Sequence, residues 1–524
     1  MSNSSCAHIP RVGGTKLIQD YISGSEKLKP FIEAFPDLDE LLDKASRRVF
    51  SEEDRKTLFD AVSKQYEQAG MITPSNWSSI KQENAFTITT GHQLSLFGGP
   101  KYFIYKIVSV LKLVKSLNES QQELNFLPIF WMASEDHDFD EVNQVKIFDH
   151  VLSSNQQKTG PMGRIDPDTF DSVFEELKEI LGTSQEATEL IQLFTDAFEQ
   201  RSWASFTRYW VNEIFNGEVI IIDGDDRELK KMFVPVVHSE LNEQITDKKV
   251  TSTNEQLEEL GYHIQVSHRA VNLFYIEDGI RERIGYLNGQ HKVHNLSRCL
   301  KRQDVINHPE SISPNALLRP VYQETILPNI AYVGGPGELA YWFQLKALFT
   351  ELKTSFPLLV LRDSFLFVKE KDELLLEKLG MGLSDLQHRD EQLQKEYILK
   401  NGLKQIDFAK EREDLNEIIS QLNTKVSEMH RNYHPMIEAE RAKIEKFINK
   451  LEVRAMRDAK FREELNINKL LKLRATYFPG GGLVERTSSF MEEYISLGKQ
   501  LYMELLMDAS NPLDSRIKVI TVNK

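Results

Sequence analysis

Cysteine is almost absent: Cys6 and Cys299 are the two in 524 residues. So few thiols exclude a disulfide framework and a zinc site built from four cysteines, and they suit a reducing compartment. Positive charge is also short, with 64 Lys and Arg against 79 Asp and Glu, a formal net charge of -15. A general nucleic-acid binder needs a basic surface to displace counterions from phosphates, so no nucleic-acid partner is expected. The acidic balance serves solubility. No apolar run approaches the roughly 18 residues of a spanning helix. The opening MSNSSCAHIP lacks the charged-then-apolar pattern of a secretory signal. A soluble, cytoplasmic protein with no membrane partner is therefore expected.

The chain is well beyond the length at which one hydrophobic core stops growing, so two or three units are expected. Residues 1–84 read as a helical lead-in, with a cap signal at Ser51-Glu52-Glu53-Asp54. From Ala85 to Lys369, short β-branched or aromatic runs alternate with helical patterns: AFTITTG, FLPIFWMA, VKIF, EVIIID, NLFYIED, IAYVGG and PLLVLRD. That alternation indicates βαβ units and a largely parallel sheet in an α/β core. The stretches near 160–210 and 245–315 are more polar and read as helical insertions. Residues 370–475 hold one proline, Pro435. Leu415, Ile418, Leu422, Val426 and Met429 precede it, and Ile437, Ile444, Ile448, Leu451 and Ala455 follow, at mostly helical spacings. A narrow apolar seam on charged helices predicts an antiparallel helical hairpin, a coiled-coil arm. Residues 476–524 hold a further helix and the strand RIKVITV, expected to return to the core.

Three turns could carry chemistry. In TITTGHQLSLFGGPKYFIYKIVSVLKL a strand ends at Thr89-Thr90 and a helix starts near Pro100, burying Ile104, Ile107, Val108, Leu111 and Val114. Gly98 and Gly99 would let the backbone approach a ligand, and the helix start favours an anion. His92 would donate a hydrogen bond to phosphate charge and Lys101 would neutralise it. In IAYVGGPGELAYWFQLK, Gly334-Gly335-Pro336 repeats the design, and Glu338 reads either as a dipole partner or as an anchor for a substrate ammonium. In FLPIFWMASEDHDFDEV, Glu135, Asp136, Asp138, Asp140 and Glu141 surround His137. Crowded carboxylates need a cation, whether an amine, an arginine or Mg²⁺. Arg319, Arg362 and Arg486 are candidate anion partners or internal salt bridges.

The segments TGHQLSLFGGPKYFIYK, PIFWMASEDHDFDEVN, SPNALLRPVYQETILPNIAYVGGPGELAYW and GGLVER, in this order, resemble the bacillithiol biosynthesis cysteine-adding enzyme family, across nearly the whole chain. The resemblance implies a Rossmann-type core with connecting-peptide insertions and a coiled-coil arm that makes a homodimer. It also implies a cysteine ligase joining cysteine to the amine of glucosaminyl-malate to give bacillithiol. Amide formation from a free carboxylate is uphill in water, so ATP with Mg²⁺ is expected, through an acyl-adenylate or acyl-phosphate of cysteine. Thr89-Thr90-Gly91-His92 is also similar to the (His/Thr)-x-Gly-His signature of nucleotidyltransferase-type folds, without a counterpart of their second, Lys-rich signature. The expected catalytic residues are His92, Gln93, Lys101, Asp136 and His137. The expected substrate-binding residues are Gly91, Gly98, Gly99, Glu135, Asp138, Asn315, Arg319, Gly334, Gly335, Glu338, Tyr341 and Arg362; no resident protein metal site is expected. Two other readings stay open: a dimeric scaffold or regulator with a degenerate nucleotide site, and a nucleotidyltransferase of another substrate.

Overall fold

Five apolar runs of the chain pair side by side as parallel strands, in the order Leu358–Leu361, Asn329–Gly334, Ala85–His92, Asn125–Met132, Ile220–Asp223. The structure, a computed structural model, describes residues 6–11, 14–277, 279–401, 408–427 and 433–523. Numbered along the chain, the strand order is that of the Rossmann fold, and its direction reverses between Ala85–His92 and Asn329–Gly334. Strands buried on both faces need continuous apolar runs, which is what these segments supply. The polar members of the central strand are satisfied across the reversal. Thr87 and Thr89 donate to Asn329 Oδ1 at 3.2 and 2.9 Å, and Thr90 donates to the Val333 carbonyl at 2.7 Å. Helix Tyr102–Ser120 covers one face, sharing a core with Phe86, Ile88, Phe126, Ile330 and Val360 through Val110, Leu113, Val114 and Leu117. It begins at Tyr102, two residues after Pro100, which instead bridges to Ser489.

The chain divides into two compact units. One comprises residues 13–365 and 485–518. It contains the lead-in helices Lys16–Ile22, Leu38–Arg47 and Glu52–Gln68, the last capped by Ser51 on the Asp54 amide. Its stretch near 160–210 is helical, with Asp171–Leu181, Gln185–Phe198 and Trp203–Ile214. The stretch near 245–315 is not mainly helical. After helix Ile245–Glu259 it forms a five-stranded antiparallel sheet, ordered Cys299–Leu300, Gln290–Val293, Ile280–Leu287, Leu273–Glu277, Ile312–Pro314. The run NLFYIED therefore belongs to this sheet rather than to the parallel one, and VKIF lies in a separate hairpin, Gln144–Ile147 with His150–Ser153. Asn288-Gly289, both at positive φ, makes the tight turn that twists two of these strands into antiparallel register.

The other unit comprises residues 1–12, 366–484 and 519–524. Helices Ala409–Ser427 and Tyr433–Arg462 pair antiparallel, with Arg412 donating to Asn449 and Glu452 while Asn423 donates to Glu438. Ile419 is buried in this hairpin, a position outside the expected seam, whereas Ile418, Leu422, Ile444 and Leu451 are exposed. Met429 lies outside the described residues. Among the described residues, no helix is long and apolar enough to cross a membrane.

Candidate active site

In an open α/β sheet, ligands bind at the carboxyl ends of the strands where the order reverses. A cavity of about 710 Å³ occupies that place, lined by Gly91 and His92 from one strand end and by Gly335, Pro336 and Glu338 from its neighbour. The loop that leaves His92 is held from behind. Phe97 adopts a left-handed φ of 46° and is buried among Phe174, Phe194, Phe198, Trp203 and Phe206, while the Trp203 indole donates to the Leu94 carbonyl at 2.8 Å. Such a conformation is unfavourable for a bulky residue, and aromatic burial from the helical insertion offsets it.

His92 Nδ1 lies 2.9 Å from the Gln93 carbonyl, so that nitrogen carries the hydrogen. Burial, with Lys106 nearby, pushes its pKa down to about 3, leaving a neutral ring whose Nε2 is an acceptor. The expected donation to phosphate charge does not suit this state. Gln93 instead donates from one amide nitrogen to Asp136 at 2.6 Å and Glu141 at 2.9 Å. Two carboxylates thus converge on one point, a position suited to a cation. His137 Nδ1 accepts from Arg281 at 2.8 Å, and burial together with Arg281 lowers its pKa. Arg281 also stacks over Phe274 and donates to the Pro314 carbonyl. Glu135 is ion-paired with Lys230 at 2.7 Å, which in turn holds Asp225 at 2.9 Å, and burial raises the Glu135 pKa despite Lys230.

At the second turn, Glu338 takes an ion pair from Lys106 and a hydrogen bond from Tyr332 at 2.9 Å. Burial alone would raise its pKa, but Lys106, with smaller help from His92 and Tyr332, lowers it on balance. Glu338 is therefore already neutralised rather than waiting for a substrate ammonium. Lys106 also donates to the Gly91 carbonyl at 2.8 Å, so it ties the two turns together; the sequence reading did not single it out. Arg319 donates to Tyr341 at 3.3 Å and to Gln323 at 3.0 Å. Asn315 accepts from the Leu317 and Leu318 amides and donates to Asn272.

Of the expected site residues, Gly91, His92, Gln93, Glu135, Asp136, His137, Asn315, Arg319, Gly335, Glu338, Tyr341 and Arg362 line this cavity. Lys101, Gly98, Gly99, Asp138 and Gly334 do not. Lys101 is buried against Glu493 at 2.5 Å, committed to the C-terminal segment. A Cβ at Gly98 would stand 3.0 Å from Trp210, and one at Gly99 would stand 2.7 Å from Ser95, so these glycines admit protein and not ligand. Asp138 caps helix Phe139–Val142, and Gly334 packs on Tyr332 and Leu339. The lining also includes Arg269, Arg281 and Arg283, unforeseen, which with Arg319, Arg362 and Arg486 put six arginines around one cavity of an acidic protein. Only folding brings them near His92.

Sheet order and cavity define a Rossmann-like enzyme domain, joined in the same chain to a helical coiled-coil domain. The model for the N-terminal Rossmann-like domain of bacillithiol biosynthesis BshC matches residues 4–363, and that for its C-terminal coiled-coil domain matches residues 365–522. A Flavobacterium johnsoniae protein is 36% identical over 520 residues, and one from Flavobacterium psychrophilum is 36% identical over 517, each alignment covering 97% of both chains. A Bacillus cereus protein is 26% identical over 502 residues, covering 91% of this chain and 92% of its own. All three carry the name "Putative cysteine ligase BshC". The chain belongs to the BshC family of bacillithiol biosynthesis, a family of ligases.

Proposed function

We propose that the cavity binds cysteine and glucosaminyl-malate and joins the cysteine carboxyl to the glucosamine amine. The observation that carries this reading is the division of charge, with six arginines on one side of the ledger and the Asp136–Glu141 pair, converging on Gln93, on the other. Malate brings two carboxylates, which guanidinium forks match, and glucosamine brings an ammonium. The amine must shed a proton before it attacks. The neutral His92 ring and the Asp136 and Glu141 carboxylates are the acceptors in the cavity. His137, with Nδ1 engaged by Arg281, offers Nε2–H as a donor.

ATP with Mg²⁺ fits the arginine wall better than the loop after the first strand, because Gly98, Gly99 and Lys101 are filled or committed there. Arg283 and Arg486 would hold phosphates, and Glu141 would hold Mg²⁺ while Asp136 faces the ammonium. When bound, ATP supplies the activation of the cysteine carboxylate. We also infer that two copies associate through the apolar residues left exposed on the arm. Incubating purified protein with cysteine, glucosaminyl-malate and Mg·ATP should give bacillithiol by mass spectrometry, and His92→Ala with Asp136→Ala should abolish it. Folded wild-type protein that makes none would remove the ligase reading.

A further inference from the structure

In the GGLVER stretch, Glu485 takes no part in the reaction scheme above. Arg362 follows the edge strand Leu358–Leu361 and lines the cavity, with its guanidinium over the Tyr102 ring. Nη2 donates to Glu485 Oε1 at 2.7 Å, and Nη1 donates to the Asp363 carbonyl at 2.7 Å. Ser364 Oγ donates to the same Glu485 oxygen at 2.9 Å. Glu485 is 1% exposed and Arg362 4%; unlike Glu338, whose two oxygens are both engaged, Arg362 keeps its Nε buried and, among the described residues, without a hydrogen-bond partner at the cavity wall. The next residue repeats the pattern. Asp363 is ion-paired with Lys518 at 2.5 Å and accepts from Ser510 at 2.5 Å, and neither Asp363 nor Lys518 has an exposed side chain. Two consecutive residues at the sheet edge are thus pinned by two buried ion pairs to the segment 485–518.

A buried charge that is paired and hydrogen-bonded stays put, and a group fixed before binding loses no freedom on binding. We propose that Glu485 is a positioning residue: it holds Arg362 as a fixed anchor for a carboxylate of the substrate, making the C-terminal segment part of the active site. The identity of that carboxylate as malate rests on the function proposed above; the clamp does not.

Glu485→Asp tests this, because it keeps the charge that compensates Arg362 but withdraws the carboxylate by one methylene. Malate and inorganic phosphate serve as probes, titrated calorimetrically, beside Arg362→Lys and the control Glu493→Gln, whose side chain holds Lys101 outside the cavity. Glu485→Asp and Arg362→Lys should each weaken anion binding roughly tenfold, or about 1.4 kcal/mol, while Glu493→Gln leaves it unchanged. In turnover, the KM for glucosaminyl-malate should rise by a similar factor with kcat held within about threefold. Should Glu485→Asp not fold, the paired replacement of Arg362 and Glu485 by Met removes both charges together and should fold but lose the anion. Wild-type affinity in folded Glu485→Asp or in the Met pair overturns the proposal, as does a wild type that binds neither anion. Anion binding that depends on Glu485, without any bacillithiol synthesis, keeps the clamp and discards the ligase reading alone.

Discussion

His92 is neutral for reasons that can be separated. Burial penalises its cation and Lys106 repels it, and together they outweigh Glu338 and the Gln93 carbonyl, which favour the proton. Its pKa, near 3 when folded, returns toward about 6.5 on unfolding. Below pH 6.5 the unfolded chain therefore binds a proton that the folded chain refuses, and stability falls with falling pH. From pH 7 to pH 5 this one ring should cost about 2 kcal/mol. His92→Gln cannot titrate, so urea unfolding of the two proteins should diverge by that amount across the interval. Parallel curves would mean that the ring is not held neutral. The residues that could be picked out from sequence were those at strand ends: Gly91, His92, Asp136 and Gly335 all reach the cavity. What could not be picked out was which of two nearby lysines pairs with a carboxylate that lines it: Lys106 holds Glu338, and Lys101 does not. Lys101 and Lys106 are five positions apart, and their partners, Glu493 and Glu338, lie 392 and 232 residues away.

At the scale of elements, the helix after His92 shows how a loop that resembles a phosphate cradle becomes a structural joint. Gly98 and Gly99 make room for Trp210, Phe490 and Ser95, and Lys101 at the helix start is locked to Glu493 in helix Met491–Leu497. Breaking that buried pair by Lys101→Met should cost about 3 kcal/mol of stability. Burial raises the Glu493 pKa, so part of the loss is recovered if the stranded carboxylate takes a proton. Malate affinity of the folded variant should stay within about twofold of wild type, as calorimetry against a urea titration would establish. Tenfold weaker binding at full stability would put Lys101 in the cavity after all. The parallel strands were readable because a strand covered on both faces must be apolar throughout. NLFYIED is apolar too, yet its partners are antiparallel, since an apolar run records burial and not the direction of its neighbour. The signal that separates them is the turn, Asn288-Gly289, between the next two strands.

For the whole molecule the open question is how many chains act together. A two-helix hairpin can bury one stripe from each helix, and here Ile419 lies in the buried stripe. Other apolar residues of the two helices stay exposed. Ile418 is 55% exposed, Phe447 60% and Val453 71%, with Leu422, Ile444 and Leu451 also exposed. The register set by Arg412 with Asn449 and by Asn423 with Glu438 brings Ile418 level with Ile444, so exposed apolar residues of the two helices stand at the same height on the arm. Several large apolar residues exposed on an otherwise charged arm are costly in water and mark an interface. The proposed dimer would cover them with another copy of the same arm, because a two-fold interface is self-complementary. Light scattering should therefore return twice the chain mass of 60.6 kDa. Replacing Ile418, Leu422 and Leu451 by Glu should return the single mass, since like charges would then face each other across the axis. Malate binding should survive that change, because the cavity is built wholly from residues 91–362 and Arg486, none of them on the arm. A wild type that already runs at the single mass would leave the exposed residues without a partner and remove the dimer from the proposal, while loss of malate binding in the Glu variant would mean that the cavity is complete only in the pair.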